Sequence, residues 1–285
     1  MKRYYCLSGA PRCGNTLFST ILNQNKNLYC SPNSMVSDLM LDIIDKKKEE
    51  VFLNNPNHDS CDNVIKNIIV NYYQNHDQEI IIDRSINWLS PSLFGENKVI
   101  VLVRPILEIL SSFVRLNDQN KNNYFTSIIE DELKTNKFVS NFSEDDDIFC
   151  DWLMRNDGHI DRFLKNLRYS LTVDPEKILV IDYNNFIRYP QQIIKEVYKF
   201  LGESHYDHYF NNLNENCFKV NYDDSVYELD LHKIRTNKIE RKSSDYHKSL
   251  SKRIIKKYEN LEFWDKIPGC SFHPHPQNWW NLNFQ

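Results

Sequence analysis

A glycine-bounded loop near the start of the chain has residue types suited to binding phosphate. Gly9 and Gly14 enclose four residues in SGAPRCGNT, and Thr16 follows two positions later. The loop lies between an apolar run and a helical pattern, so backbone N–H groups and the helix dipole should point at one place. Arg12 lies inside the loop, where a guanidinium can donate paired hydrogen bonds to phosphate oxygens. We therefore predict an anion site at this loop.

The loop departs at one position from the phosphate loop of nucleoside triphosphatases. That pattern is GxxxxGK[ST], and this chain has Asn15 at the lysine position. Asparagine offers neutral donors, so we expect Arg12 to supply the positive charge. The missing lysine argues against ATP hydrolysis. For this segment alone, the alternative is a strand-to-helix turn that binds no ligand.

A second candidate site follows the apolar run in KVIVLVRPILEILSSFVRL. Arg104 ends the run, Pro105 suits a first helical position, and Ser112 lies eight residues after the arginine. An arginine at the end of a strand and a hydroxyl two turns along the next helix can close on one phosphate. Seen singly, they would be a surface ion pair and a helix-surface hydroxyl. Together with the first loop they predict a second phosphate contact.

The elements that must position these residues are strands and helices in alternation. Nearly continuous apolar runs are typical of buried parallel strands, and they occur at residues 3–7, 79–82, 98–103 and 177–181. Helical patterns occur at residues 16–22, 63–73, 106–116, 151–167 and 191–201. The alternation predicts an α/β fold with a central parallel sheet flanked by helices.

The length of 285 residues suits one α/β domain with insertions, so we predict a single domain over residues 1–285. A polar segment at about residues 117–147 is too polar for a core, and we expect an insertion near a substrate opening. A solvated surface excursion is the alternative.

The aromatic C-terminal tail holds the last candidate groups. His273 and His275 lie two apart between prolines, but further ligands are missing nearby, so no metal site is predicted. Trp279 and Trp280 are expected to pack the C-terminus against the domain.

Composition limits the class of protein. The chain has 41% hydrophobic and 26% charged residues and a net charge of −4, which argues against disorder and gives no reason to expect a nucleic acid partner. Its apolar runs are far shorter than the ~20 residues of a membrane span, and the start lacks the apolar region of a secretory signal. We expect a cytoplasmic protein.

Seven cysteines without a CxxC pair suggest buried thiols rather than disulfides or zinc ligands.

The loop PRCGNT at residues 11–16 resembles the 5′-phosphosulfate loop of the sulfotransferases that use 3′-phosphoadenylyl sulfate (PAPS), where members carry PRSG-T-T. It differs at Cys13 and Asn15. The spacing of Arg104 and Ser112 is similar to the family's 3′-phosphate site. The resemblance implies a three-layer fold of the P-loop NTPase kind and sulfuryl transfer from PAPS to a hydroxyl or amine. The product would be 3′-phosphoadenosine 5′-phosphate (PAP), and no metal would be required.

Two later segments extend the resemblance. KILVIDYNNFIRYPQQIIKEVYKFLG is similar to the family's strand-turn-helix, which implies that Tyr183 lies near the adenine. NKIERKSSD is similar to a basic segment of protein-tyrosine sulfotransferases that folds over the donor phosphates, with Lys238 as the phosphate contact. The donor-binding set implied by the resemblance is Arg12, Cys13, Gly14, Asn15, Thr16, Arg104, Ser112, Tyr183 and Lys238.

Sulfuryl transfer builds negative charge on the leaving phosphate, so cations should carry most of the catalysis. Arg12 is one such cation, and Arg84, after EIIID, is similar in place to a catalytic lysine of the family. A salt bridge between Arg84 and Asp83 is the alternative. The family's histidine or glutamate base is not matched here, in DRSINW or in CSPNSMVSD. Asp38, Asp42 and Asp83 stay open as the base, and we include Asp83 with the two arginines as predicted catalytic residues.

Two other functions stay open at the sequence level. A P-loop small-molecule kinase is one, because Asp83 ends its strand as a magnesium-binding aspartate would. A nucleotide-binding module without catalysis is the other, because the base is unassigned. The acceptor is not encoded in a motif, so a small metabolite, glycan, lipid or peptide is equally compatible. The oligomeric state is also open.

Overall fold

The computed structural model describes the backbone of residues 2–94, 97–135, 145–211, 213, 223–232, 239, 245–264 and 271–272. Within these ranges, the side chains of 131–135, 145, 271 and 272 are not described. The strands are β1 Arg3–Gly9, β2 Leu28–Cys30, β3 Ile80–Arg84, β4 Val99–Val103, β5 Ile178–Asp182 and β6 Ser271–Phe272. The α-helices are α1 Asn15–Leu22, α2 Val36–Lys46, α3 Glu50–Asn54, α4 His58–Tyr72, α5 Ile106–Asn117, α6 Tyr124–Thr135, α7 Asp145–Leu153, α8 His159–Val173, α9 Tyr183–Arg188, α10 Pro190–Leu201 and α11 Lys252–Tyr258.

The strands form one parallel sheet in the order β2-β3-β1-β4-β5-β6, with β1 between β3 and β4. Cys6 of β1 is the register partner of both Asp83 and Val99. All five residues of β4 are buried, which is typical of strands covered by helices on both faces. The predicted parallel α/β fold is thus confirmed, and the four predicted strands correspond to β1, β3, β4 and β5.

The order of the strands identifies the edge where a ligand would bind. The chain passes from β1 to β2 and β3 on one side, and then to β4 and β5 on the other side. In open parallel sheets, the crevice beyond the strand ends at such a reversal is the usual ligand site. Gly9, Arg84, Arg104 and Tyr183 lie at or just after the carboxyl ends of β1, β3, β4 and β5. This edge therefore collects the predicted site residues.

The single helix predicted over residues 151–167 is wrong, because the structure has two helices there. Helix α7 ends at Leu153 and α8 begins at His159. Between them Asp157 has a left-handed φ of 59°, and the Gly158 backbone N–H donates to the Arg155 carbonyl at 2.9 Å. The dipeptide Asp-Gly is a turn signal that the apolar periodicity of the flanking residues obscured.

The expectation that residues 117–147 are too polar to join the core is wrong in part. The segment contains α6, and Ile129 of this helix belongs to the buried core at 8% exposure. Asn123 before the helix is 2% exposed and donates through Nδ2 to Asn117 Oδ1 at 2.6 Å. An amphipathic helix with a polar outer face accounts for the composition. A substrate opening at this segment stays a prediction.

Four of the five cysteines whose side chains are described are buried, as expected: Cys6, Cys13, Cys30 and Cys150. All five are free thiols. The predictions for His273, His275, Trp279 and Trp280 fall outside the described residues.

Candidate functional site

The loop between β1 and α1 has the left-handed backbone of a tight strand-to-helix turn. Arg12 has a φ of 67° and Gly14 a φ of 84°. A Cβ atom added at Gly14 would lie 2.4 Å from Cε2 of Tyr183. Glycine is therefore required at this position both for its φ and for the close approach of the tyrosine ring. Thr16, in the first turn of α1, is partly exposed beside this loop.

Asn15, at the lysine position of the triphosphatase pattern, points into the base of the loop. Its side chain is buried at 4% exposure, and Nδ2 donates to the Ala10 carbonyl at 3.0 Å. Its Oδ1 has no hydrogen-bond partner among the described residues and would be 2.4 Å from a Cβ atom at Gly9. The Asn15 side chain thus hydrogen-bonds inside the loop and stabilises its conformation. The group of Asn15 that could contact a phosphate is therefore its backbone N–H.

The Cys13 side chain is fully buried beside loop residues that are partly exposed. It is 0% exposed, and burial raises the pKa of its thiol to about 12. Arg104 and Arg12 are near enough to oppose this rise, and the contribution of the Cys13 thiol to the anion site stays a prediction.

The two predicted phosphate sites form one cluster. Arg12 Nε donates to Ser112 Oγ at 3.2 Å, and Arg104 Nη1 donates to the Arg12 carbonyl at 3.1 Å. Arg12 Nη1 also donates to the Leu231 carbonyl at 2.7 Å. The loop after β1 and the start of α5 are therefore in direct contact, and two guanidiniums converge at the ligand-binding edge of the sheet.

The Arg104 side chain is fixed by three neighbours. Glu108 Oε2 accepts from Arg104 Nε at 3.0 Å, and Glu108 Oε1 accepts from Asn184 Nδ2 at 3.0 Å. The ring centroid of Tyr183 lies 4.7 Å from the guanidinium carbon. Tyr183 thus joins Arg104 to the loop glycine, while its predicted contact with adenine stays a prediction. Sequence reasoning missed Glu108, which lies in the first turn of α5 four residues after Arg104 and so within reach of its side chain.

Asp182 ends β5 and caps α9 beside this cluster. Its Oδ1 accepts from the Asn185 backbone N–H at 2.9 Å. Burial raises the pKa of the Asp182 carboxyl to about 6, with Glu108 adding to the rise and Arg104 and the backbone hydrogen bonds opposing it. The carboxyl therefore titrates much closer to neutrality than an exposed aspartate.

Asp83 lies inside the protein on β3. It is 0% exposed, and its carboxylate accepts from Trp88 Nε1 at 2.7 Å. Hydroxyls of Tyr73 and Ser34 donate to its other oxygen. Burial raises the pKa of Asp83, and these hydrogen bonds oppose the rise. The contacts hold the carboxylate within a buried network, and its catalytic role stays a prediction.

Arg84 follows on the same strand, and successive strand residues point to opposite faces of a sheet. Its backbone N–H donates to Ser31 Oγ at 2.7 Å, and its Nη1 donates to the Pro32 carbonyl. These two contacts of Arg84 are thus with the two residues that follow β2, and they lie at the same edge of the sheet as Arg12. Its catalytic role and its pairing with Asp83 both stay predictions.

The remaining candidates lie further out or beyond the described residues. Asp38 and Asp42 are exposed on α2, and Asp38 Oδ1 accepts from Asn87 Nδ2 at 2.9 Å. Lys238 lies outside the described residues.

Within the described part of the chain, no group of three His, Cys, Asp or Glu side chains is placed to hold a metal ion. No helix there is both long and apolar enough to cross a membrane.

Comparison with known families identifies the chain. The model of the family described as "Sulfotransferase domain" matches residues 3–261, which is most of the sequence. The chain belongs to the sulfotransferase domain family. The resemblance stated from the loop after β1 and the start of α5 is thereby confirmed at the level of the family. A search of curated protein sequences finds no significant match.

Three solved sulfotransferase structures are similar to this sulfotransferase domain, and the first of them has a TM-score high enough to indicate a shared fold. The sulfotransferase domain from the curacin biosynthetic pathway is 17% identical, with 92% of each chain covered and a TM-score of 0.51. A sulfotransferase from Alicyclobacillus acidocaldarius is 14% identical, with 72% of this chain and 82% of that chain covered and a TM-score of 0.45. Mouse sulfotransferase SULT7A1 complexed with PAP is 10% identical, with 91% and 82% covered and a TM-score of 0.47. The predicted P-loop-like α/β fold is confirmed.

Proposed function

We propose that this sulfotransferase domain transfers a sulfuryl group from PAPS to a hydroxyl or amine acceptor and releases PAP. The observation that carries the proposal is the contact between Arg12, Arg104 and Ser112 at the carboxyl edge of the sheet. Two guanidiniums and a hydroxyl beside a strand-to-helix loop suit a ligand that carries two separate phosphate groups.

Each end of the donor has a proposed set of contacts. Arg104 and Ser112 bind the 3′-phosphate, which distinguishes PAPS from ATP. The backbone N–H groups at Gly14, Asn15 and Thr16 bind the 5′-phosphosulfate at the start of α1. Arg12 lies between the two sets, because it contacts Ser112 and belongs to the loop.

The chemical step breaks the bond between sulfur and the bridging phosphate oxygen while the acceptor atom bonds to sulfur. The electron pair of the broken bond stays on the 5′-phosphate, so negative charge grows there. Arg12 stabilises that charge, with Arg84 as the second proposed cation and Thr16 as a hydroxyl donor. In this scheme Arg12 acts mainly on the transition state, and Arg104 acts mainly on donor binding.

Positive side chains and backbone N–H groups supply the charge stabilisation in this proposal, so a divalent cation is not required. Transfer should persist in EDTA. Loss of turnover on chelation, with recovery on adding magnesium, would favour the metal-dependent kinase instead. The acceptor class stays open between small molecule, glycan, lipid and peptide, and a cytoplasmic location stays a prediction.

Calorimetry with PAP and ADP tests the proposal directly. PAP carries the 3′-phosphate and ADP lacks it, so PAP should bind at least tenfold more tightly, and Arg104→Ala should remove the preference. Equal affinity for PAP and ADP in the wild-type protein would contradict PAPS as the donor. Release of labelled sulfate from PAPS then separates an enzyme from a binding module.

A further inference from the structure

Helix α5 begins just beyond β4 without an N-cap side chain of its own. Pro105 occupies the N-cap position, where its ring offers no hydrogen-bond acceptor. The backbone N–H groups of Glu108 and Ile109 donate to the Pro105 carbonyl at 3.0 and 3.1 Å. As the first N–H of an α-helix, that of Ile106 finds no acceptor within the helix itself. Ile106 is fully buried, so this donor needs an acceptor from elsewhere in the protein.

Glu262, which lies 156 residues further along the chain, supplies that acceptor. Its Oε1 accepts from the Ile106 backbone N–H at 2.8 Å. A carboxylate at this position pairs the buried donor and interacts favourably with the positive end of the helix dipole. Glu262 therefore does for α5 what an N-cap aspartate does for its own helix.

The residues that follow Glu262 hold it in place. Phe263 and Trp264 are both buried and belong to the hydrophobic core. The guanidinium carbon of Arg168, on α8, lies 4.1 Å from the centroid of the Phe263 ring. Because the two adjacent side chains are anchored in this way, the Glu262 carboxylate meets α5 from a fixed backbone.

A second contact joins the same part of the chain, residues 245–264, to α5. The hydroxyl oxygens of Ser249 and Ser111 are 2.7 Å apart, and Ser111 is fully buried. The chain then forms α11, whose Ile254 and Tyr258 are buried in the core. Residues 245–264 therefore contact α5 at its first residue and again about one and a half turns further along.

Both contacts lie beside residues of the proposed 3′-phosphate site. Arg104 is two residues before Ile106, and Ser112 directly follows Ser111. A hydrogen-bonded helix is rigid over so short a distance, so the positions of Arg104 and Ser112 depend on where residues 245–264 hold α5. Hydrogen bonds weaken steeply with misalignment, and both side chains must point at the same phosphate.

We propose that Glu262 is a positioning residue for recognition of the 3′-phosphate of the donor. By capping α5 it sets the geometry in which Arg104 and Ser112 bind that phosphate, without touching the donor itself. This inference rests on the proposed function. It predicts that Glu262 affects the affinity for PAP more than the affinity for ADP, which lacks the 3′-phosphate. A cap with a purely structural role would affect stability alone.

Helix α4 provides a matched control. Asn57 Oδ1 accepts from the Ser60 backbone N–H at 3.1 Å and so caps α4. This helix packs against α2 and leads into β3, which is on the other side of β1 from β4 and α5. Asn57→Ala therefore removes a helix cap without touching the proposed 3′-phosphate site.

The test measures PAP and ADP affinity by calorimetry, together with Tm, in wild type, Glu262→Ala, Glu262→Gln and Asn57→Ala. Glu262→Ala should lower PAP affinity by about tenfold, the effect of roughly one lost hydrogen bond, and ADP affinity by less than about twofold. Both alanine variants should lower Tm by about 2–4 °C. Glu262→Gln, whose amide oxygen can still accept from Ile106, should keep PAP affinity within about threefold of wild type. Asn57→Ala should leave both affinities unchanged.

A second variant covers the case in which Glu262→Ala does not fold. Glu262→Met fills a similar space without an acceptor, so it should show the same loss of PAP affinity. An unchanged ratio of PAP to ADP affinity in a folded Glu262→Ala or Glu262→Met variant would overturn the inference, and so would an equal fall of this ratio in Asn57→Ala. Failure of wild type to prefer PAP over ADP would instead overturn the proposed function.

Discussion

Two arginine–glutamate pairs lie at opposite ends of the sheet and differ in the exposure of the arginine, whereas the glutamates are 9% and 12% exposed. Arg3, at the start of β1, is bonded to Glu203 at 2.6 Å, and the arginine side chain is 44% exposed. Arg104, just after β4, is bonded to Glu108 at 3.0 Å, and both side chains are about 10% exposed. The first pair joins the chain after α10 to the start of the central strand β1, whereas the second directs a guanidinium towards the phosphate loop.

The comparison shows that an arginine–glutamate ion pair can have two different roles, which depend on the residues around it. Water screens the half-exposed guanidinium of Arg3, so the contribution of this ion pair to stability is small. The buried pair is surrounded by Tyr183, Asn184 and the Arg12 carbonyl, which fix the direction of Arg104 without adding negative charge. A cation held in this way is preorganised for a second anion, because little reorientation is needed when a phosphate arrives.

The largest effect is expected at Arg12, which links the buried cluster to the loop. Arg12→Ala should lower turnover by roughly 10²–10³-fold while donor affinity falls much less, because its contact strengthens as charge develops on the leaving phosphate. Arg12→Lys should restore part of the loss as a point charge. Single-turnover kinetics with labelled PAPS separates binding from chemistry. A variant that loses affinity alone would show that Arg12 only anchors the donor.

Arg104→Ala should act on binding instead. Removing charge-assisted hydrogen bonds to a buried phosphate should cost about 2–4 kcal/mol of PAP affinity, measured by calorimetry. Arg155→Ala is the control, because it removes an exposed guanidinium stacked on Trp152, remote from the loop. Unchanged PAP binding in a folded Arg104→Ala variant would contradict the 3′-phosphate assignment.

Asp182 should make the buried end of the sheet sensitive to pH. Its folded-state pKa of about 6 is above the ordinary value, so the folded protein holds more protons than the unfolded chain between about pH 4 and 6. Stability from this group therefore falls as pH rises through that window, by up to about 3 kcal/mol. Asp182→Asn, which can still accept from Asn185, should show less of this fall in urea unfolding at several pH values. An unchanged pH dependence would exclude Asp182 as its source.

The smallest effect is expected at the pair of Arg3 and Glu203. Glu203→Gln should lower the free energy of unfolding by less than about 1 kcal/mol, because the 44% exposed guanidinium of Arg3 is screened by water and the glutamine oxygen can still accept from Tyr5. PAP affinity should equal that of wild type, since the pair lies at the opposite end of the sheet. Unfolding in urea and calorimetry provide the two measurements. A loss of PAP affinity would mean that the two ends are coupled.

The sequence predicted those elements of the fold that have a clear hydrophobic pattern. It did not predict the short strands or the turn that divides two helices. Four strands, β1, β3, β4 and β5, are nearly continuous apolar runs that can be recognised in the sequence. Strand β2 has three residues and β6 has two, which are too few to show a hydrophobic pattern. The turn at Asp157 was missed because apolar periodicity continued on both sides of it. The single-domain prediction stays a prediction.

For the candidate site, the sequence motifs indicated Arg12, Arg104 and Ser112, because each of these residues lies at a fixed spacing from the end of a predicted strand. Their mutual contact was not predictable, since Arg12 and Ser112 are separated by 100 residues along the chain. The same reason hid the link between Arg12 and Leu231, which are 219 residues apart along the chain.

The burial of Cys13 has a consequence for the chemistry of oxidation and labelling. Thiolates react with peroxide and alkylating reagents, and a thiol with a pKa raised to about 12 at 0% exposure presents almost none. The phosphate loop should therefore keep its function under mild oxidants that modify accessible cysteines. Cys61 on α4 is the partly exposed cysteine of the described residues, so a fluorophore could be attached there while the loop stays unmodified.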